Sequence, residues 1–149
     1  SRGALVRKLT AEDVKNMLGV LSCLEDMAGR LTCAQATDGE IAAVRSLHDK
    51  MVEFYEARNR LEYFKINQQI HSSLVALSGN DSLVLVHDML QKRMKRIRFL
   101  GNQSPGSWEA ALADHEEMIA ALEARDGDRL SKTMTDHLAA TWERIQDTL

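Results

Sequence analysis

The chain has 149 residues, of which 44% are hydrophobic and only one is proline, a size and composition that fit one globular domain. Its formal net charge is −3 and only 5% of its residues are aromatic, so it lacks the positive field and the stacking side chains typical of nucleic-acid-binding proteins. No apolar run approaches the roughly 20 residues of a membrane span, and the first residues contain no signal-peptide core, so we expect a cytoplasmic protein.

Six helices are predicted, because apolar residues recur at helical spacing along the chain and strict strand-like alternation is absent. Thr10 is the predicted N-cap of the first helix, with Asp13 three residues further on, and Gly19 is a candidate for a kink. The predicted helices run from Thr10 to about Leu31, from the TDGE cap to about Phe54, and over about 60–77, 82–100, 107–124 and 127–147.

Short connections separate these helices. Gly79 or Asn80 in the segment SGND is expected to take the left-handed conformation that ends the third helix. The segment GNQSPGS is the clearest loop, and RDGD joins the last two helices. Because short connections make successive helices antiparallel, the sequence predicts an all-α, up-and-down antiparallel bundle.

Two histidines interrupt the last two helices at equal distances from the turn between them. His115 lies eleven residues before Asp126 and His137 lies eleven residues after it, so an antiparallel hairpin brings both to one level. On the third helix, Asn67 and His71 are four residues apart and therefore share a face. These four residues are candidates for one site.

Two neutral imidazoles from the hairpin, with an imidazole and an amide oxygen from a third helix, form a mixed nitrogen and oxygen donor set. Such a set suits a divalent metal ion, for which zinc, nickel and manganese are the candidates. Because Asn67 is uncharged, it leaves the positive charge of the ion less neutralised. The site therefore favours an anionic ligand such as a small carboxylate.

Arg93 is the predicted second contact of that carboxylate. If the chain reverses direction at a loop centred on Ser104, residues equally far from Ser104 lie at the same level of two antiparallel helices. Arg93 lies eleven residues before Ser104 and His115 lies eleven residues after it, so the two are expected at one level. An arginine facing inward would supply a bidentate contact. Arg93 also continues the apolar row of Val86, Met89, Leu90, Ile97 and Leu100.

The remaining charged and titratable candidates are interpreted as ordinary packing or surface residues. The other cations of QKRMKRIRF are predicted to form a solvated face. His48 and His87 are predicted to be core or surface histidines. His87 is kept outside the site because it follows a continuous apolar run and has no partner at helical spacing. A helical-bundle metalloenzyme is disfavoured because the Glu-x-x-His pairs of di-iron bundles are missing: Gln68, Leu112 and Met134 stand three residues before the histidines.

Three segments together resemble one family of regulatory domains. SGND after an Asn-x-x-x-His helix, and DHEEMIAALEARDGDRLSKTMTDHL, resemble the C-terminal effector domain, called FCD, of FadR-type GntR transcription regulators. LEDMAGRLTCAQAT resembles the Leu-Glu segment in the first helix of that family, and SRGALV resembles the end of the wing in its N-terminal winged-helix domain. The resemblance covers about residues 10–145. It divides the chain into a wing or linker remnant, 1–9, and an FCD effector-binding and dimerisation domain, 10–149.

The resemblance implies a bundle of six or seven helices, a homodimer, and a metal held by Asp, His, His and His that helps to bind a small organic acid. By position, the metal ligands are Asn67, His71, His115 and His137, with Asn67 in place of the usual Asp. Ile70 replaces an aromatic residue, and the arginine that precedes the Leu-Glu pair in the family is absent.

The implied function is that of a ligand-sensing domain, not an enzyme, which contacts no membrane and reaches DNA only through a winged-helix domain outside this chain. Two alternatives stay open beside it. One is a metal-free effector-binding domain of the same regulator class, in which the histidines bond the effector directly. The other is a purely structural dimerisation module.

Overall fold

The computed structural model describes Gly3, residues 8–101 and residues 104–149. Its helices are α1 (Ala11–Gln35), α2 (Asp38–Glu56), α3 (Arg60–Ala76), α4 (Asp81–Gly101), α5 (Pro105–Glu123) and α6 (Gly127–Ile145), followed by a 3-10 turn (Gln146–Thr148). The all-α class and the six helices are thus confirmed. Apart from Gly3, the segment SRGALV of the predicted wing remnant lies outside the described residues. No helix among the described residues is long and apolar enough to cross a membrane.

Local sequence signals set the helix starts. Thr10 and Asp13 form a reciprocal capping box in which each side chain accepts a hydrogen bond from the backbone N–H of the other. Thr37 and Glu40 repeat the motif at the start of α2. Helix α1 continues without a break through the exposed Gly19. The long α1 can therefore contact most of the other helices.

A left-handed glycine makes the turn between α3 and α4. Gly79 has a φ of 71°, a conformation that side chains with a Cβ rarely adopt. A Cβ at this position would also collide with the side chain of Gln35, which donates a hydrogen bond to the carbonyl of Leu77. The backbone conformation is what favours glycine here, since the exposed side chain of Gln35 could move aside for a Cβ.

The helices pack closely around two main apolar clusters. One cluster lies among α2, α3, α5, α6 and the C-terminal end of α1, and it includes the fully buried Met51, Tyr63 and Met118. The other joins the first half of α1 to the second half of α4 and to α6, with Leu21 and Met94 at its centre. Helices α1 and α6 approach closely at Gly29, where a Cβ would lie 3.1 Å from the backbone nitrogen of Ser131.

Each of the six helices contributes at least one buried polar side chain, that of α2 being His48. Glu25 comes from α1, and Asn67 and His71 come from α3. Helices α5 and α6 supply His115 and His137. The buried polar residues of α4 are His87, Gln91 and Arg98. A buried polar group is costly unless it is hydrogen-bonded, so this concentration in a small domain indicates a binding site.

Candidate metal and effector site

Three histidines meet in the interior of the bundle. The ring centroids of His71 and His115 are 5.0 Å apart, and the ring of His137 lies 5.2 Å from each of them. Each imidazole offers one nitrogen, and the three nitrogens lie within 4.8 Å of one another. The structure thus brings together the three histidines that the sequence selects.

Two carboxylates determine which ring nitrogen of His71 and of His137 faces the histidine cluster. Nδ1 of His137 lies 2.8 Å from Oδ2 of Asp114, and Nδ1 of His71 lies 3.3 Å from Oε1 of Glu25. An ionised carboxylate only accepts hydrogen bonds, so both Nδ1 atoms carry the proton. The Nε2 lone pairs of His71 and His137 are therefore free to bind a ligand.

The two nearest imidazole nitrogens are unusually close for uncharged acceptors. Nε2 of His115 lies 3.0 Å from Nε2 of His71. Two lone pairs at this distance repel each other unless a proton or a shared cation lies between them. The separation also suits two ligands of one ion, since zinc-bound nitrogens lie about 2.0–2.1 Å from the metal.

Two further atoms at this site have no hydrogen-bond partner among the described residues. They are Oδ1 of the buried Asn67, one helical turn before His71, and Nδ1 of His115. Leaving a buried polar atom unsatisfied costs about 1–3 kcal/mol. The oxygen of Asn67 is the atom type that the sequence predicts as the fourth ligand.

Burial keeps all three imidazoles neutral near pH 7. It lowers the pKa of His71 from 6.5 to about 4, despite the neighbouring Glu25. It also lowers the pKa of His137, against the opposing effect of Asp114. Burial also lowers the pKa of His115 well below its ordinary value, and the neighbouring histidines add to the shift. Neutral imidazole is the form that binds metal ions.

Glu25 links this cluster to α4. Its Oε1 lies 3.3 Å from Nδ1 of His71 and 3.4 Å from Nε2 of His87. Burial raises the pKa of Glu25, but the hydrogen bonds from the two histidines outweigh it and hold the pKa well below its usual value. Glu25 is thus a buried anion, whose Oε2 has no hydrogen-bond partner among the described residues.

Arg98 supplies the buried cation of the site. It is 4% exposed, and its charge lowers the pKa of His71, His115 and His137. Burial lowers the pKa of Arg98 itself, while the negative charge of Glu25 opposes this shift. Within the described part of the chain, Nε and Nη2 of Arg98 have no acceptor. A guanidinium held in this way is suited to receive a carboxylate.

Arg93 does not join this cluster. It is exposed on α4, so the expectation that it faces inward is wrong. The row Val86, Met89 and Arg93 lies on the outer side of the helix, and the buried row contains Gln91, Met94 and Arg98. Equal distance from a loop predicts how far along its helix a residue lies. It does not predict which side of the helix the residue occupies, because that depends on the rotation of about 100° per residue.

The histidines predicted as ordinary residues are both buried and bonded to carboxylates. Nε2 of His48 lies 2.7 Å from Glu116, which also accepts a hydrogen bond from Arg45. His87 bonds Glu25 and so adjoins the cluster from which the sequence argument excluded it. Sequence reasoning also missed Glu25, Asp114 and Arg98.

Comparison with known proteins identifies the domain. A family model for the FCD domain matches residues 16–140 of this chain. The chain belongs to the FCD domain family. The six helices are thus those of an FCD domain, and the resemblance drawn from the sequence is confirmed.

Curated relatives of this FCD domain are named as transcription regulators. The chain is 22% identical over 146 residues to the HTH-type transcriptional repressor RspR of Escherichia coli (strain K12), covering 97% of the chain and 64% of the relative. It is 26% identical to the Nta operon transcriptional regulator of Aminobacter aminovorans, covering 97% and 67%. It is 28% identical to the probable D-xylose utilization operon transcriptional repressor of Paenarthrobacter nicotinovorans, covering 93% and 60%. The chain thus spans about two thirds of such proteins, and the names agree with the expectation that it is not an enzyme.

Solved structures share the fold of this FCD domain at low sequence identity. Escherichia coli McbR/YncC superimposes with a TM-score of 0.86 at 16% identity, over 97% of this chain and 73% of the other. Streptococcus agalactiae GntR gives a TM-score of 0.77 at 16% identity, over 93% and 62%. These similarities establish the architecture and carry no information about the bound ligand.

Proposed function

We propose that this FCD domain is the effector-sensing part of a FadR-type GntR transcription regulator and binds a small organic acid through a divalent metal ion. His71, His115 and His137 would hold the ion, with Asn67 as a further oxygen ligand. The observation that carries the proposal is the convergence of three neutral imidazole nitrogens within 4.8 Å. Zinc, nickel and manganese remain the candidate ions.

The residues around the three histidines give further support for metal binding. Metal-ligating histidines usually donate the other ring N–H to a carboxylate, which fixes the ring and raises its basicity. Glu25 and Asp114 accept from Nδ1 of His71 and His137 in this way. The oxygen of Asn67 is buried without a partner among the described residues, as expected for an atom awaiting a ligand.

Arg98 is the residue that we propose for the carboxylate effector, in place of Arg93. The ion would act as a Lewis acid toward one carboxylate oxygen, and the guanidinium would donate hydrogen bonds to the same group. Gln91, also on α4, is buried, and its amide atoms have no partner among the described residues. It would add specificity by bonding a polar group elsewhere on the effector.

Signal transmission follows from the elements that the site joins. An effector at this position would contact side chains from α1, α3, α4, α5 and α6 together. Such a ligand shifts an equilibrium between two helix packings only if it binds one of them more tightly. We propose that the favoured packing changes the arrangement of winged-helix domains outside this chain, which alone would contact DNA in the cytoplasm.

A metal-free sensor is the second candidate, and one observation favours it. The 3.0 Å contact between Nε2 of His71 and Nε2 of His115 is also a normal hydrogen-bond length if His115 carries the proton on that nitrogen. Asn67 likewise lacks the charge of the usual aspartate. In that case the histidines and Arg98 would bond the effector directly.

Metal content distinguishes the two candidates. Chain purified without an affinity tag or chelator is expected to contain close to one divalent ion per molecule, measured by elemental mass spectrometry. The double variant His115→Ala/His137→Ala should retain less than about a tenth of it, because two of the three nitrogen ligands are gone.

His48→Ala is the matched control, since it also removes a buried imidazole but leaves the cluster intact. The control should keep its metal. Wild-type chain that takes up no zinc, nickel or manganese after incubation with their salts would exclude the metal-dependent mechanism and leave the metal-free sensor.

The proposed homodimer has a candidate surface on the outer side of α1 and α4, which pack against each other. Val20 and Met27 of α1 and Val86 and Met89 of α4 are large apolar residues exposed on these helices. Exposed apolar patches of this kind often mark protein interfaces. A second copy of the chain would bury the same patch on both subunits, as a two-fold interface requires.

Met89→Glu is expected to dissociate this dimer. Each subunit would place an unpaired charge in the apolar interface, and two-fold symmetry applies the penalty twice. Light scattering after size exclusion should change from about 33 kDa, twice the 16.7 kDa of one chain, to the monomer mass. Leu61→Glu is the control, because Leu61 is comparably exposed but lies on α3. A wild-type monomer, or equal behaviour of both variants, would contradict the proposed surface.

A further inference from the structure

We propose that a divalent cation reaches the buried histidines through the groove between α3 and α4, where the side chain of His87 closes the inner end. This inference rests on the proposed metal binding. It concerns how the ion passes from solvent to His71, His115 and His137, which are at most 5% exposed. Some side chain must therefore move each time an ion enters or leaves.

The groove is open to solvent and adjoins the site. It has a volume of about 310 Å³, and its walls include Ser72 and Val75 of α3 and Leu85, His87 and Asp88 of α4. Ser72 directly follows His71 in the chain. The groove therefore lies between the helix that carries His71 and the helix that carries His87, the two hydrogen-bond partners of Glu25.

His87 connects this groove to the buried cluster. Its side chain lines the groove, although only 2% of the residue is exposed. Its Nε2 lies 3.4 Å from Oε1 of Glu25, and that oxygen lies 3.3 Å from Nδ1 of His71. One side chain thus stands between the groove and a carboxylate bonded to a candidate ligand. Rotation of His87 would expose Glu25 to an incoming ion.

The charge of the groove suits a cation. Asp81 and Asp88 lie in its wall, and Lys92 pairs with Asp88 through an exposed contact at 2.9 Å. A second groove between α3 and α4 is lined by Lys65, Lys92, Lys95 and Arg96. Lys65 and Lys92 pair with carboxylates, but the excess of cations still disfavours a divalent ion. The acidic groove is therefore the electrostatically favourable path of the two.

A third groove, between α2 and α5, is also acidic. It is lined by His48, Glu109 and Glu116. Its His48 lies near enough to His115 to lower the pKa of that residue, but among the described residues His48 has no hydrogen bond to a member of the cluster. The bonded partner of His48 is Glu116, which is itself exposed, so this contact leads back toward solvent. In contrast, the partner of His87 is fully buried Glu25.

The first half of α4 is also the more weakly held part of that helix. It is joined to the bundle by a small apolar cluster whose buried members are Ala28, Val75 and Leu83. The second half packs into the larger cluster around Met94. Segments with few buried apolar contacts open at lower free energy than the core. Local opening at His87 therefore needs no disruption of the main clusters.

A bulky label placed in the groove tests the path. In a Cys23→Ser background, Leu85→Cys and Leu61→Cys each receive fluorescein maleimide, with complete labelling checked by intact mass. Both positions are exposed, at 65% and 56%, but only Leu85 lines the acidic groove. Zinc uptake by the metal-free chain is then followed by stopped flow against a chromophoric chelator. The label at position 85 should slow uptake about tenfold or more, and the label at 61 less than about twofold.

The zinc dissociation constant at equilibrium should be the same in both labelled proteins, because a path changes rates and not affinity. Equal uptake rates for the two labels would overturn the proposed path. So would a loss of affinity at position 85 that matches the loss of rate, since the label would then act on the site itself. Unlabelled chain that binds no zinc would instead refute the metal-dependent function, and the path with it.

His87→Ala tests the closing side chain separately. Removing the imidazole should raise the rates of zinc uptake and release by about fivefold or more, because the barrier at the inner end is gone. His48→Ala creates a similar buried cavity away from the groove and should leave both rates unchanged. A His87→Ala protein that exchanges zinc at the wild-type rate, or more slowly, would overturn the role of His87.

Discussion

Lowering the pH of the metal-free chain from about 7 to about 4.5 is expected to reduce its free energy of unfolding by several kcal/mol. The cause is the three buried imidazoles, which fold neutral. Burial lowers the pKa of His71 from 6.5 to about 4, and it lowers the pKa of His115 and His137 in the same direction. Below pH 6.5 the unfolded chain therefore binds protons that the folded chain does not.

This difference in proton binding determines the direction of the stability change and the pH range over which it occurs. Well above pH 6.5 both states are neutral at these sites, and the stability is at its full value. Stability is lost as the pH falls from 6.5, until the folded histidines titrate in turn, which for His71 occurs at about 4. At about 1.4 kcal/mol per pKa unit, His71 alone accounts for about 3 kcal/mol across its window.

Glu25 does not disturb this window. Its pKa is lowered in the folded chain, so its contribution is retained until the pH falls below its ordinary value of 4.5. Urea unfolding followed by circular dichroism, at several pH values with chelator present, measures the effect. His115→Gln should flatten the curve, because one of the three contributions is removed. A wild-type stability that stays constant between pH 6.5 and 4.5 would show that the imidazoles are solvated, contrary to their burial.

The histidine pair of the last hairpin could be predicted from the sequence because a tight turn fixes the register of two helices. Asp126 caps α6 through its side chain, so the turn occupies only a few residues. Equal spacing on either side of it then places His115 and His137 at one level. Each side chain also had to face inward, and the apolar neighbours Met118, Met134 and Leu138 supplied that information.

The same reasoning failed on α4 because that helix has apolar residues on two faces. Val86 and Met89 are exposed, and they suggested that Arg93, in line with them, points into the core. Apolar periodicity cannot distinguish a core face from a face that a partner covers. The proposed dimer surface would account for this second row of apolar residues.

The burial of Glu25 could have been predicted from the sequence. It stands in α1 at helical spacing between Leu21 and Ala28, both fully buried, so a charged side chain interrupts an otherwise apolar row. A buried charge is unfavourable unless it is paired. The interruption therefore indicates partners on neighbouring helices, although the sequence does not say that these are His71 and His87.

Arg98→Met is expected to weaken the response to carboxylates about 10- to 100-fold with little change in the stability of the domain. The pKa of Arg98 is lowered by burial, so the folded chain tolerates its charge at a cost that the attraction of Glu25 does not offset. Methionine fills a similar apolar volume and removes that cost, but Glu25 then loses one compensating charge, and removing one member of a buried ion pair is by itself destabilising. Glu25 keeps its hydrogen bonds from His71 and His87, which lower its pKa more than Arg98 does. Because the two effects oppose each other, the free energy of unfolding should change little.

Carboxylate binding, in contrast to the stability, should weaken strongly. A hydrogen bond to a charged group contributes about 1.5–3 kcal/mol, so losing Arg98 should weaken binding about 10- to 100-fold. Thermal-shift titration of the metal-loaded chain with a panel of mono-, di- and hydroxycarboxylates measures this response. Arg93→Met is the matched control on the same helix, and its exposed side chain predicts no change in either quantity.

The two arginine variants separate the possible roles of the buried cation. A structural role predicts that Arg98→Met lowers the stability, because Glu25 then loses a compensating charge. A sensing role predicts retained stability and a lost response, since functional groups are often held in a folded protein at the expense of stability. Loss of response in Arg93→Met but not in Arg98→Met would return the effector contact to the outer face of α4. It would also imply that the effector binds at the surface that two subunits share.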